Sequence, residues 1–201
     1  MKYTVVTSFP VSQWELYGEK FLNSFIEYWP KEIQLLVYCD GYPLPEDIPK
    51  ADNITYFDLL ENDDLLEFKE RNKQFNGVQD AKGVYNFYED AIKFSHKVYA
   101  QHMAFYKAQN MESDWLIWLD ADSITYEPIT YELLDEAHGD KDDICPDVTF
   151  LGRKNAYATC TSYIGYYLKS DVTQVFIEDF VNYYNSDEVL ALRSYADNFV
   201  F

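Results

Sequence analysis

The segment Trp115–Leu119 constrains the fold most, because it is a short apolar run that ends abruptly in two carboxylates. Asp120 and Asp122 follow it, one residue apart. Ionised acids beside a core cost free energy unless they are paired or bind a cation. Carboxylate oxygens are ligands that Mg²⁺ and Mn²⁺ prefer, and these ions commonly bridge substrate phosphates. The segment therefore predicts a buried strand with a divalent-metal site at its carboxyl end.

The charge of the chain limits its partners. Among 201 residues, 35 are Asp or Glu and 16 are Lys or Arg, which gives a formal net charge of -19. Such a chain repels nucleic acid and anionic membrane surfaces, so we expect neither as a partner. A ligand that carries phosphates would depend on a bound cation. The length fits one domain, residues 1–201.

The sequence lacks the patterns of a membrane span, a signal peptide and a CxxC motif, and these absences predict its localisation and thiol chemistry. No run approaches the roughly 20 apolar residues of a membrane span. The N-terminus lacks the pattern of a signal peptide, so a cytoplasmic location is expected. The cysteines are too widely spaced for a CxxC motif and indicate reduced thiols: Cys39, Cys145 and Cys160. We expect packing or capping roles for the histidines: His96, His102 and His138.

The first forty residues predict a strand, a helix and a second strand. Residues 3–8 are β-branched and aromatic, and residues 14–28 carry an amphipathic stripe that Pro30 closes. Residues 33–39 form an apolar run without alternation, which is typical of a strand buried on both faces of a parallel sheet. This order favours an open α/β sheet, in which ligands lie beyond the carboxyl ends of the strands.

Polar residues follow each predicted strand at that same edge. Thr7 and Ser8 end the first strand, and Asp40 follows the second. We therefore expect them to lie near Asp120 and Asp122, which follow a later strand. An ordinary strand-end turn would explain one aspartate, but two together favour a functional site.

The rest of the chain predicts further strands and helices. Residues 59–79 are charged and predict a covering helix or loop, and residues 85–109 predict a long helix with two apolar stripes. On that helix Lys93 and Lys97 share a face, where they either meet an anion or extend along a solvent rim. The other predicted elements are strands at 53–57, 115–119, 148–152 and 157–168, and helices at 131–138, at 171–184 and from about 187. The ending Phe-Val-Phe is unusual for a solvated terminus and indicates a truncated or incomplete chain.

With these motifs the chain resembles GT-A-type glycosyltransferases, which are nucleotide-diphospho-sugar transferases with a DxD motif. The motif is here Asp120-Ala121-Asp122, the Thr-Val-Val-Thr-Ser strand resembles the family's first strand, and Cys39-Asp40-Gly41 resembles the acid after its second. The resemblance implies a Rossmann-like, mixed and mostly parallel sheet flanked by helices. It also implies transfer of a sugar from a nucleotide diphosphate sugar, with a UDP-sugar as the expected donor, to a hydroxyl acceptor, with Mn²⁺ or Mg²⁺ bound.

The same resemblance assigns roles to individual residues. Asp122 is the expected direct metal ligand, and Asp120 a ligand or ribose contact. The other expected nucleotide-sugar contacts are Thr7, Ser8, Phe9, Asp40, Lys93, Lys97, Ala121 and Gly165, the last with Ser162 and Tyr163 beside the sugar and acceptor. Asp197 is the expected catalytic or acceptor-side carboxylate. The nucleotide half would span about 1–125 and the acceptor half about 126–201. Many members add a late histidine ligand, and no such element follows Asp197 here.

Two alternatives remain open from the sequence. The letters Asp-Ala-Asp-Ser-Ile-Thr also resemble the nucleophile loop of haloacid-dehalogenase-type phosphatases, and residues 139–143 resemble their late acidic motif. That loop normally ends the first strand, whereas about 110 residues precede it here. A nucleotide-sugar-binding protein without turnover is the other alternative, because a fold does not establish an activity.

Overall fold

The structure is a computed structural model that describes residues 1–79, 83–139, 145–152, 160–192 and 194–195. Its strands are β1 (Tyr3–Pro10), β2 (Gln34–Asp40), β3 (Ile54–Asp58), β4 (Asn76–Gln79), β5 (Val84–Asp90), β6 (Trp115–Leu119), β7 (Val148–Leu151) and β8 (Cys160–Tyr167). Six of them form a sheet in the order β3-β2-β1-β6-β8-β7, and β4 pairs with β5 in a separate antiparallel hairpin. Within the sheet, β3, β2, β1 and β6 are parallel, and β8 is antiparallel to β6 and β7.

Helices cover both faces of this sheet. They are α1 (Glu19–Tyr28), α2 (Asp63–Arg71), α3 (Ala91–Asn110), α4 (Tyr131–His138) and α5 (Asp171–Asn185). One apolar core joins the sheet to α2, α3 and α5, and a second joins the opposite face to α1 and α4. Across the described ranges, no helix combines the length and apolar character needed to cross a membrane.

The apolar runs explain the central strands. All five residues of β6 are buried, and β2 is buried from Leu35 to Cys39, because alternate side chains enter the two cores. Continuous apolar sequence is therefore required where a strand has helices on both sides. The predicted α/β fold, with a mostly parallel sheet flanked by helices, is confirmed.

Two helical predictions were wrong in extent. The long helix was predicted from residue 85, but residues 84–90 form β5, and α3 begins at Ala91. Asp90 stops the helix from extending further back, because its carboxylate accepts a hydrogen bond from the backbone N–H of Lys93 at 2.8 Å and caps the helix. The helix predicted from about residue 187 is a single 3-10 turn, Glu188–Ala191, among the described residues.

The direction of α3 places the hairpin of β4 and β5 at the carboxyl edge of the sheet. Lys97, in the second turn of α3, contacts Asp120 directly after β6, while Asn110 at the other end leads back to the start of β6. The first turn of α3 and the hairpin before it therefore lie on the side where the parallel strands end.

Candidate active site

A cleft of about 850 Å³ lies at the carboxyl ends of β1, β2 and β6. Ligands of open α/β sheets bind in this position. The structure brings most of the predicted site residues to its wall: Ser8, Phe9, Asp40, Lys93, Lys97, Asp120, Ala121 and Asp122. Residues that lie far apart in the predicted nucleotide half, from Ser8 to Asp122, thus line the same cleft.

Asp120 is held by the residues around it. Lys97 Nζ donates to Asp120 Oδ1 at 2.8 Å and to the Thr161 carbonyl at 2.6 Å. Trp118 Nε1 donates to the same carboxylate oxygen at 2.7 Å. The backbone N–H of Asp120 also donates to the carbonyl of Ser162 in β8 at 3.0 Å. These bonds fix the carboxylate at the strand end and balance its charge.

Asp122 is exposed on the cleft wall. The turn after β6, closed by the Ser123 N–H and the Asp120 carbonyl at 2.9 Å, carries it past the buried strand end. Burial raises the pKa of Tyr17 nearby, and the negative charge of Asp122 adds to that effect. The two aspartates therefore differ: one is bonded at the floor of the cleft, and the other is open to a ligand.

The two carboxylates offer the hard oxygen ligands that suit Mn²⁺ or Mg²⁺. In the described part of the chain, no group of three or more His, Cys, Asp or Glu residues is arranged to hold a metal ion. Such an ion would depend on ligand phosphates and water for its other positions, which is the usual arrangement for Mg²⁺. The residues present fit an ion that arrives with a phosphorylated substrate.

Asp40 forms a second polar group with Lys69 and His96. His96 Nδ1 lies 3.3 Å from Asp40 Oδ2, and Lys69 Nζ lies 3.4 Å from the same oxygen. Burial lowers the pKa of His96 to about 4, although the charge of Asp40 opposes that shift. The ring is thus neutral at pH 7, with its Nδ1 turned to the carboxylate.

Sequence reasoning assigned His96 to packing and missed its place at the cleft. The position of His96 at the cleft could have been predicted from its place on α3, three residues after Lys93 and directly before Lys97. At this spacing all three side chains can approach the same cleft. The exposed aromatic residues of β5 that line the cleft were also missed: Tyr85, Phe87 and Tyr88. They fell inside the segment predicted as helix.

Two predicted site residues serve packing instead of lining the cleft. Thr7 is fully buried, and its Oγ1 donates to the carbonyl of Leu119 at 2.8 Å, which ties β1 to β6. Gly165 lies in β8, where a side chain would overlap His138 and Thr149. Neither lines the cleft. Asp197 and the acidic residues 140–143 lie outside the described residues.

No family profile and no curated protein sequence matches the chain. Among solved structures it is similar to mouse xyloside xylosyltransferase 1 in its apo form, with a TM-score of 0.53 and 13% identity, over 99% of this chain and 80% of that chain. It is also similar to apo WbbM, a bifunctional glycosyltransferase, with a TM-score of 0.45 and 13% identity, over 91% of this chain and 34% of that chain. The likeness to the xylosyltransferase shows that this chain has a GT-A-like glycosyltransferase fold.

Proposed function

We propose that the protein is a metal-dependent glycosyltransferase that moves a sugar from a nucleotide diphosphate sugar, a UDP-sugar, to a hydroxyl acceptor. One observation carries the proposal: the Asp120 and Asp122 pair ends a fully buried strand at a cleft that Lys93 and Lys97 also line. Carboxylates and ammonium groups together suit a metal-bound diphosphate. The fold supports the proposal, because a glycosyltransferase shares it.

In this proposal Asp122 binds Mn²⁺ or Mg²⁺ directly, and Asp120 assists from its fixed position. When bound, the ion would neutralise the charge that develops on the departing nucleoside diphosphate. Lys97 restrains Asp120 and keeps its carboxylate pointed at the strand end. The exposed Lys93 adds positive charge at the rim of the cleft. Two lysines among the carboxylates of the cleft wall thereby make the cleft suitable for a diphosphate.

The remaining assignments follow the position of each residue in the cleft, except that of Asp197, which lies outside the described residues and is assigned from the family resemblance alone. Ser8, Phe9 and Asp40 lie at the ends of β1 and β2 and would contact the nucleoside. Ala121 lies between the two acids, where its small side chain leaves room for the donor. We assign Asp197 to the acceptor side as the carboxylate that would take the proton of the attacking hydroxyl.

A UDP-release assay tests the proposed activity. We expect release of UDP from at least one UDP-sugar in the presence of Mn²⁺, and loss of that release with EDTA. Asp122→Asn should lower the rate at least about a hundredfold, because a metal ligand is removed from the reacting diphosphate. Asp47→Asn is the matched control, since Asp47 is an exposed acid that does not line the cleft.

The same assay separates the alternatives. Release of inorganic phosphate from phosphomonoesters, without use of any UDP-sugar, would support a phosphatase and refute sugar transfer. Tight binding of UDP-sugars without hydrolysis or transfer across a panel of acceptors would support a binding protein.

A further inference from the structure

The hairpin of β4 and β5 presents exposed aromatic rings to the cleft. Tyr85, Phe87 and Tyr88 are 51%, 42% and 57% exposed, and all three line the cleft. An isolated two-stranded hairpin is marginally stable in water, and exposed rings add little burial to stabilise it. Core packing therefore does not explain these rings. Exposed aromatic rings in a concave site are suited to stack on the face of a ligand.

The rest of the molecule holds this hairpin in position. The backbone carbonyl of Tyr88 accepts a hydrogen bond from the N–H of Tyr195 at 2.9 Å. The ring of Phe87 meets Phe94 of α3 edge-on, with 4.8 Å between centroids, and Lys93 Nζ lies 4.7 Å from the Phe87 centroid. Contacts from two other segments thus fix the rings before a ligand arrives, which lowers the entropy lost on binding.

Charge restricts what these rings can bind. The chain carries a net charge of -19, so an anionic acceptor would be repelled as it approaches. The π face of an aromatic ring is negative, which suits weakly positive C–H groups such as those on the face of a pyranose. In the described part of the cleft wall, four carboxylates accompany two lysines: Asp40, Asp90, Asp120 and Asp122 with Lys93 and Lys97.

We propose that this hairpin forms the acceptor subsite and that the acceptor is a neutral carbohydrate, whose C–H face stacks on Phe87 and Tyr88. The inference rests on the proposed function, because it divides one cleft between a nucleotide-sugar donor and an acceptor. The donor lies at the ends of β1, β2 and β6, and the acceptor approaches across β5.

Saturation-transfer NMR with methyl β-D-glucopyranoside, methyl β-D-galactopyranoside and anionic methyl β-D-glucuronide tests the subsite. The wild-type protein should bind at least one neutral glycoside, and bind the glucuronide more weakly. Tyr88→Ala and Phe87→Leu should each weaken that binding by roughly five- to tenfold, because each removes a stacking ring. Tyr126→Ala is the matched control, since this ring is 79% exposed and does not line the cleft.

Titrations of the same variants with UDP and Mn²⁺ distinguish the acceptor from the nucleotide. Unchanged UDP affinity, with circular dichroism matching wild type, supports the acceptor assignment. Weaker UDP binding with unchanged glycoside binding would show that the rings contact the nucleotide, and would overturn the acceptor assignment. Tighter binding of the glucuronide by wild type, or no binding of the neutral glycosides, would also overturn it. If wild type neither binds UDP nor turns over UDP-sugars, the proposed function fails, while the glycoside titration still decides whether the rings bind a neutral sugar.

Discussion

Asp120 and Asp122 are two residues apart in the sequence, but their surroundings differ: the first carboxylate is hydrogen-bonded and the second is exposed. Asp120 receives Lys97 and Trp118 on one carboxylate oxygen. Asp122 lies two residues further along the turn and is exposed. The Asp-Ala-Asp spacing thus sets one acid at the end of a buried strand and the other in the open cleft. Fixing the first acid positions the turn that carries the second.

Replacing Lys97 tests whether this ion pair stabilises the fold. Lys97→Met removes the Lys97 ammonium from Asp120 and from the Thr161 carbonyl. The Lys97 and Asp120 side chains are 11% and 32% exposed, so solvent screens part of the loss. We expect a fall of about 1–3 kcal/mol in the free energy of unfolding, below the roughly 3–5 kcal/mol of a fully buried pair. Urea unfolding measures it.

Two further variants control this experiment. Lys20→Met, on the exposed side of α1, should change the free energy of unfolding by less than about 0.5 kcal/mol. In the double variant Lys97→Met with Asp120→Asn, the loss should be smaller than the sum of the single losses, because the charge that Lys97 contacts is removed together with Lys97. Strictly additive losses would show that the pair is not coupled.

At the scale of elements, the first turn of α3 joins the hairpin to the sheet edge. Asp90 Oδ1 accepts from the Lys93 N–H at 2.8 Å, and Asp90 Oδ2 accepts from the Tyr85 hydroxyl at 2.9 Å. Desolvation raises the pKa of Tyr85 to about 12, and the hydrogen bond to Asp90 adds to that effect. The Asp90 carboxylate therefore caps α3 and also restrains β5 through Tyr85.

Asp90→Ala should loosen the hairpin without unfolding the domain. Loss of the cap costs roughly 1 kcal/mol, and loss of the bond to Tyr85 should raise amide hydrogen exchange in β5. Asn62→Ala is the matched control, because Asn62 caps α2 through the Leu65 N–H at 2.8 Å and does not touch the hairpin. Equal exchange in β5 for both variants would contradict this role of Asp90.

The sequence predicts the central elements well because each is marked by its own residues. The uncharged run of β6 and the Pro30 stop after α1 require only local patterns. The hairpin escaped prediction because Tyr88, Ala91 and Ile92 continue a helical spacing backwards across the cap residue. Val84 to Tyr88 is β-branched and aromatic, and Asp90 is a suitable cap, so both signals were present.

The candidate site was predictable in part, for a related reason. Acids at strand ends can be placed at one edge from topology alone, which is how Asp40 and Asp120 come to line one cleft. Which way a side chain points depends on packing. Thr7 donates a hydrogen bond to Leu119 on the neighbouring strand, and Gly165 leaves space for His138. No local sequence pattern predicts either contact.

At the scale of the whole molecule, two histidines with lowered pKa values, His96 and His138, predict loss of stability in mild acid. His138 is fully buried between Thr149 Oγ1 at 2.9 Å and the Tyr163 hydroxyl at 2.7 Å, and burial lowers its pKa to about 4. Burial also lowers the pKa of His96 to about 4. The unfolded chain binds these protons near pH 6.5, so stability is full above that pH and falls as the pH drops towards 4.

The expected slope is about 1.4 kcal/mol per pH unit for each histidine within that window. Urea unfolding at pH 7, 6, 5 and 4.5 measures it. His138→Gln should reduce the slope, whatever its effect at pH 7. His102→Gln, on α3, is the control for loss of a histidine from another part of the chain. The lowered pKa values of Asp114 and Asp187 act at a lower pH, below about 4. A flat profile from pH 7 to 4.5 would contradict this account.

The central claim is that the cleft binds a nucleoside diphosphate through a divalent ion held by the aspartate pair. Calorimetry of wild type and Asp122→Asn with UDP and with UMP, each with and without Mn²⁺, tests it most directly. We predict that wild type binds UDP with Mn²⁺, binds UMP at least about tenfold more weakly because one phosphate is missing, and loses UDP binding without the metal or in Asp122→Asn. UDP binding of equal strength without Mn²⁺, or no UDP binding at all, would contradict the claim.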